Sequence, residues 1–276
     1  MRSSSSLALR ANEIRKLILH MSYTAGAEGA HIGSALSIAD IISVLYFDTM
    51  KVDPKSPEMA DRDYFILSKG HGALAQYAAL ALRGYFELSE LDSFVQTNTR
   101  IGCHPSAGSL PGLEMPAGSL GHGPALGCGI AVACKADGGK NRIFILVGDG
   151  ESEEGSVWEA AQIAVSRGLD NLTFIVDRNG LQYGGTTDGI AHLHNCESRW
   201  RAFGWDVITV DGHDVYAVKA ALDSAQSGPK CIVARTVKGK GVSFMENDNS
   251  WHHSALSREK YLAAMAELGE EDNVNI

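Results

Sequence analysis

The chain has 276 residues, enough to bury a sizeable core in one α/β domain, and apart from 30 glycines its composition is ordinary for a globular protein. Its 33 acidic against 24 basic residues give a net charge of −9; the nearest thing to a basic patch, Lys238 to Gly241, carries two charges and reads as a local anion contact, which argues against nucleic acid or an anionic membrane as partner. No run of 18 apolar residues offers a membrane span, and five scattered cysteines without a CxxC pair fit reduced thiols in a cytoplasmic protein.

Met1 to Ser6 reads as a flexible arm, with Ser6 as N-cap of a helix over 7–26 in which Leu9, Ile14, Leu17, Ile18 and Met21 recur near a 3.6 spacing. Charges at Arg10, Glu13, Arg15 and Lys16 interrupt that stretch too soon for a secretory signal. Gly26 to Gly33 reads as a loop holding His31, and Ser37 as the cap of a second helix, 38–47. Tyr64 to Leu67 is a short strand running into Ser68-Lys69-Gly70-His71-Gly72, followed by helices over 73–82 and 89–95. Residues 100–123 are rich in Gly and Pro, and a stretch of that length without regular structure inside a compact domain is usually functional. A small-residue helix follows over 124–136.

The segment from Arg142 to Gly185 carries most of the chemistry. An apolar run, Ile143 to Val147, ends at Gly148-Asp149-Gly150; a helix-like crossover follows; a second apolar run, Leu172 to Val176, ends at Asp177-Arg178-Asn179-Gly180. In a parallel pair joined by a crossover, both loops leave the same carboxyl edge of the sheet, so Asp149 and Asn179 face one another. A carboxylate, an amide oxygen and a nearby backbone carbonyl are hard oxygen ligands of the kind Mg²⁺ takes together with phosphate oxygens and water, and glycines admit a diphosphate to the backbone and the next helix N-terminus. The plainer reading makes Asp149 a helix cap and Asn179 a turn residue. Glu151, Glu153 and Glu154 crowd the first turn of the following helix, where the dipole alone favours them. Strands at 205–210 and 230–237, a helix over 216–225 between them and a last helix over 257–268 before an acidic tail, 269–276, complete the pattern. Strands alternating with helices imply a three-layer α/β fold, a mostly parallel sheet covered by helices on both faces, with all 276 residues in a single domain.

Four histidines, His31, His71, His104 and His252, each sit in a Gly- or Pro-flanked loop or beside strand ends, which suggests a shared pocket. Zinc is the competing reading, but the spacings contain no HxxxH or CxxC element, and histidines that hydrogen-bond substrate hydroxyls or shuttle protons fit better. Lys69 and Lys238 flank glycines at strand ends and are either solvated lysines or point charges for a diphosphate. The loop from Gly118 to Gly123 is either a tight turn or backbone lying close to a ligand or a neighbouring subunit.

Six segments in order, AEGAHIGSALS, LSKGHGALAQYAAL, GCHPSAGSLPGLEMPAGSLGHG, VGDGESEEGS, VDRNGLQYGGTTD and TVKGKGVSFMENDNSWHH, resemble the N-terminal, thiamine diphosphate-binding half of transketolases, and more closely the separate N-terminal subunit of split transketolases. The resemblance runs over roughly residues 10–255. It implies the thiamine diphosphate-binding fold, thiamine diphosphate with Mg²⁺ (or Ca²⁺ or Mn²⁺) as cofactors, and metal ligation by Asp149, Asn179 and the Leu181 carbonyl. It further implies that Gly150 and Glu154 lie around the diphosphate and the subunit contact, and His71 and Lys238, with Lys69, near the diphosphate. Gly118 and Leu120 would lie against the aminopyrimidine, His252 would reach cofactor and sugar, and His31 and His104 would hydrogen-bond sugar hydroxyls and assist proton transfer. The activity implied is transfer of a two-carbon ketol unit from a ketose or ketose phosphate to an aldose through a thiamine diphosphate enamine. The chain has no room for the pyrimidine-binding domain that supplies the activating glutamate, so the resemblance implies an α₂β₂ assembly with a separate C-terminal transketolase subunit. His122 stands where the family usually has Gln, Cys103 precedes His104 where Gly-His-Pro is common, His253 replaces a glycine and Arg178 an acidic residue; these departures bear on the sugars more than on the cofactor. An alpha-type subunit of a 2-oxo acid dehydrogenase shares the GDG…N pattern but lacks the SKGH and KGKG…WH elements; a truncated deoxyxylulose phosphate synthase or a non-catalytic subunit that keeps the fold are further alternatives.

Overall fold

The computed structural model describes residues 4–191 and 195–269. The N-terminal arm and the acidic tail therefore fall largely outside the described residues, but Ser4 to Ser6 do not form an arm: helix α1 runs Ser4–Thr24 and Ser6 lies inside it rather than capping it. The buried line of α1 is Leu7, Ala11, Ile14, Ile18 and Met21, all 2% exposed or less, a strict 3.6-residue stripe; Leu9, counted into that stripe from sequence, is 66% exposed. Short helices α2 (Ile32–Leu36) and α3 (Ala39–Val44) follow, the latter widening into a π-turn over Leu45–Thr49. Ser37 caps neither. Its hydroxyl donates to the Ser34 carbonyl at 3.0 Å and to Asp177 Oδ2 at 2.8 Å, so its place is in the site.

Strand β1 (Tyr64–Leu67), helix α4 (Ala73–Arg83) and, after an irregular stretch, helix α5 (His122–Ala136) lie close to their expected bounds. The helix expected over 89–95 is a 3₁₀ segment, Leu88–Ser93. Strand β2 (Ile143–Gly148), helix α6 (Gly155–Ser166) and strand β3 (Leu172–Arg178) form the expected crossover unit. Beyond it come a two-stranded hairpin, β4 (Leu181–Gln182) and β5 (Gly185–Thr186), and helices α7 (Thr187–Ala191) and α8 (Cys196–Ala202), none of which is evident from periodicity. Strand β6 (Asp206–Asp211), helix α9 (Val215–Asp223), strand β7 (Lys230–Arg235) and helix α10 (Arg258–Glu267) end the chain; Asp214 and Ser257 cap the two helices by accepting from their first-turn amides.

The five-stranded sheet has the order β1-β2-β3-β7-β6, and every pairing is parallel. Side-chain alternation sends Ile145, Val147, Phe174, Val176 and Val233 to one face, against α5, α6 and α8. Phe144, Leu146, Ile175, Ile232 and Ala234 go to the other, against α1, α3, α4 and α9. The strands are apolar on both faces because both faces are covered, as the sequence predicts for a three-layer α/β fold. All strand carboxyl ends lie along one edge, where such sheets bind ligands.

Candidate active site

A cavity of about 320 Å³ opens at that edge, built by the loops that follow β1, β2 and β3 together with loops from outside the sheet. It is lined by His31, Lys69, His71, His104, Gly118, Leu120, Asp149, Gly150, Glu154, Asn179, Leu181 and His252, which is every sequence-predicted site residue except Lys238. Ser34, Gln182 and Tyr183 line it as well.

Asp149 is buried at the end of β2. Its carboxylate accepts from Gly150 N at 2.9 Å and, across the gap between strands, from Gly180 N at 2.6 Å. Burial, and then the nearby Asp177 carboxylate, push its pKa up to about 6. Asp149 thus holds a carboxylate in a desolvated pocket close to a second one, which disfavours its charged form.

Asp177 itself is fully buried and central. It pairs with Lys69, accepts from Ser37 and the Thr236 hydroxyl, and accepts from Asn179 Nδ2 at 2.7 Å. Because Nδ2 is committed to a carboxylate, the Asn179 amide orientation is fixed, and its Oδ1, which accepts from Leu181 N at 3.0 Å, is the acceptor end. The Lys69 charge, first among the causes after burial, keeps Asp177 below the ordinary carboxylate range. Lys69 Nζ also donates to the Ser34 carbonyl at 2.9 Å, so this lysine is a structural counter-charge beneath the cavity floor as well as a lining residue. Sequence reading passes over Asp177; its position at the last inward-facing place of an apolar strand is the available signal.

All three glutamates line the cavity, Glu154 exposed, Glu153 half-buried and Glu151 buried. They do not occupy the first turn of α6, which begins at Gly155; Glu151–Glu153 form a 3₁₀ turn ahead of it. That turn arises because the Glu151 carboxylate folds back to accept from Gly148 N at 3.0 Å and Gly121 N at 2.9 Å, and from the Ser68 hydroxyl. It ties together the loop after β1, the loop after β2 and the glycine loop. Gly121 has φ +80°, and a Cβ there would lie 2.8 Å from Glu154 Cβ. Gly118 has φ +116°, and a Cβ would lie 3.1 Å from the His104 ring. The glycine loop is thus pressed flat against the cavity wall by steric necessity.

The histidines gather around His31. The His31 ring centroid lies 5.7 Å from that of His71, 5.6 Å from His104, 5.6 Å from His252 and 4.5 Å from His253. Burial first, then the neighbouring imidazoles, lower His31 to about 3; burial and the Lys238 charge lower His252 to about 4; His71 and His104 are lowered too, burial leading in both. All four are neutral imidazoles at pH 7. Lys238 lies beneath this cluster, almost fully buried; its ammonium donates to Asn249 Oδ1 at 2.9 Å and to His252 Nδ1 at 2.8 Å. His252 therefore carries its proton on Nε2 and is a hydrogen-bond donor. Lys238 reaches the cavity through His252, and burial and the Lys69 charge lower its pKa to about 8. Tyr183, 79% exposed, stands edge-on to His252 with centroids 5.2 Å apart.

A parallel α/β sheet with polar loops on neighbouring strand ends and a glycine-lined cavity at its carboxyl edge is the architecture of a cofactor-binding domain. The family described as "Transketolase, thiamine diphosphate binding domain" matches residues 8–275, and the chain belongs to it. It is 42% identical to the 6-deoxy-6-sulfo-D-fructose transketolase subunit of a Clostridium species, over 95% of this chain and 96% of the relative. It is 38% identical to an apulose-4-phosphate transketolase subunit of Phocaeicola vulgatus, over 96% of this chain and 94% of the relative. The transketolase structure of Campylobacter jejuni superposes with a TM-score of 0.91 at 32% identity, over 99% of this chain; the chain spans 44% of that longer protein. Among the described residues, no helix is long and apolar enough to cross a membrane.

Proposed function

We propose that this chain is the N-terminal subunit of a two-chain transketolase, moving a two-carbon ketol unit from a ketose to an aldose acceptor. The observation that carries the proposal is the meeting of Asp149, Asn179 and four neutral histidines in one cavity at the carboxyl edge of the sheet. Thiamine diphosphate, when bound, supplies the electron sink that such a transfer requires. Asp149, Asn179 Oδ1 and the Leu181 carbonyl hold a divalent cation, with Mg²⁺ the natural fit to hard oxygens, and that cation anchors the diphosphate. Gly150 and His71, with the Lys69 and Lys238 charges behind them, complete the anionic pocket; Gly118 and Leu120 back the cofactor ring. His31 and His104 hold the sugar hydroxyls, and His252, a donor at Nε2, passes a proton between hydroxyl and solvent.

Relatives matched nearly end to end are called subunits, while the longer transketolase is matched over 44% of its length, which supports a separate partner carrying the remaining domain; the assembly we propose for the pair is α₂β₂. Both relatives' names specify ketoses with an anionic substituent, and we assign the donor here to that class. Purified with the product of a neighbouring reading frame that carries a pyrimidine-binding domain, the pair should transfer ketol units when thiamine diphosphate and Mg²⁺ are added, and neither chain should do so alone. Cleavage of 2-oxo acids in place of ketoses would overturn the assignment.

A further inference from the structure

Cys103 brings a thiol into the histidine cluster. Its Sγ lies 3.5 Å from His31 Nδ1, and one ligand atom from each of His31, Cys103 and His104 falls within 4.8 Å of the other two. The three come from two loops, so no sequence spacing announces the group. A tetrahedral Zn²⁺ with Zn–S of about 2.3 Å and Zn–N of about 2.0–2.1 Å sets its sulfur and nitrogen ligands about 3.6 Å apart. The Cys103–His31 separation of 3.5 Å already matches that edge, and a ligand nitrogen of His104 lies within 4.8 Å of both partners.

We propose that His31, Cys103 and His104 form a binding site for a thiophilic divalent cation, Zn²⁺ above all, within the histidine cluster. The ligand chemistry selects it: imidazole and thiolate suit Zn²⁺ and reject Mg²⁺, which takes hard oxygen donors such as those of Asp149 and Asn179. Two neutral imidazoles bind without first losing a proton, and the Cys103 thiol gives its single proton to solvent as the sulfur–zinc bond forms. Three protein ligands leave a fourth position for water or a sugar hydroxyl. Occupation ties up His31 and His104 and so excludes the sugar; that consequence alone rests on the function proposed above, and the site itself does not.

Co²⁺ added to the full-length chain is the probe. One Co²⁺ per chain should bind with a near-ultraviolet sulfur-to-cobalt charge-transfer band and visible bands of tetrahedral type, both abolished by stoichiometric Zn²⁺. Cys103→Ala should remove the charge-transfer band and weaken Zn²⁺ by more than the ~10–100-fold that loss of an outer-shell partner costs. His31→Gln should weaken Zn²⁺ as well, whereas Cys134→Ser should leave the spectrum unchanged. Circular dichroism keeps misfolded variants out of the comparison; Cys103 is only half-buried, so its truncation leaves the core intact. A wild-type chain without the charge-transfer band, or a band that survives Cys103→Ala, overturns the site. In the assembled enzyme, Zn²⁺ should raise the apparent KM for the donor; an intact spectral site with no such effect would refute the exclusion of sugar while leaving the cation site standing.

Discussion

Asn179 donates its side-chain amide to the buried Asp177 carboxylate at 2.7 Å, and this contact decides which end of the amide is the acceptor, the end that the function proposed above assigns to a cation. Asp177 holds Lys69 at the same time, so one carboxylate sets both an oxygen donor and a positive charge beneath the cavity.

Replacing that carboxylate tests the arrangement. Asp177→Asn leaves Lys69 charged and buried without its counter-ion, a loss of about 3–5 kcal/mol in pairs of this kind. Urea denaturation should register it, and any folded fraction should bind thiamine diphosphate with Mg²⁺ more weakly in a calorimetric titration.

The two sets of cavity residues should separate by mutation. Asp149→Ala should abolish Mg²⁺-dependent binding of thiamine diphosphate, because the carboxylate is the one anionic ligand in the proposed set. His104→Ala should leave that binding nearly unchanged and lower turnover of the assembled enzyme by about 10²–10⁴, the usual worth of a proton-transfer residue. Calorimetry beside a ketol-transfer assay gives both readouts.

Glu151 should matter more to folding than to chemistry. Glu151→Gln sets an amide group with its own donors against the donors of Ser68, Gly121 and Gly148, and should cost about 1–3 kcal/mol for the contact left unsatisfied. The thermal midpoint should fall, with thiamine diphosphate affinity reduced secondarily as the glycine loop loosens.

The histidine cluster predicts acid sensitivity of the metal-free protein. His31, His71, His104 and His252 all have pKa values lowered in the folded state, His31 to about 3 and His252 to about 4, against 6.5 for the free side chain. Below pH 6.5 the unfolded chain takes up protons that the folded chain refuses, so the contribution of these groups to stability is full above pH 6.5 and is lost as pH falls toward 4. Denaturation at pH 5 should consume about two protons per chain from His31 and His252, and His252→Gln should reduce that uptake. An uptake at pH 5 unaffected by the substitution would contradict the neutral assignment of His252.

Much of the frame was legible because burial on both faces leaves unbroken apolar runs, as in Ile143 to Val147 and Leu172 to Val176, and because Gly148-Asp149 and Asn179-Gly180 end those runs abruptly. What escaped notice depends on long-range contacts. Lys69 and Asp177 meet across 108 residues, and Ser37 reads as a helix cap until its hydroxyl is seen on Asp177. Glu151 and Glu154 are alike in sequence; only the fold buries one and exposes the other. The β4–β5 hairpin is two residues a side, too short for a periodic signal.

A small pairing gives the cavity its character. Ala30 and Ser254 exchange backbone hydrogen bonds of 3.0 Å each way, clasping the loop of His31 to the loop of His252 and His253, neither of which belongs to the sheet. Asp149 and Asn179 hang from rigid strand ends, whereas these histidine loops hang from this clasp. On the function proposed above, substrate preference can therefore drift at residues such as Cys103 and His253 while the proposed cofactor anchor at Asp149 and Asn179 stays fixed to the sheet.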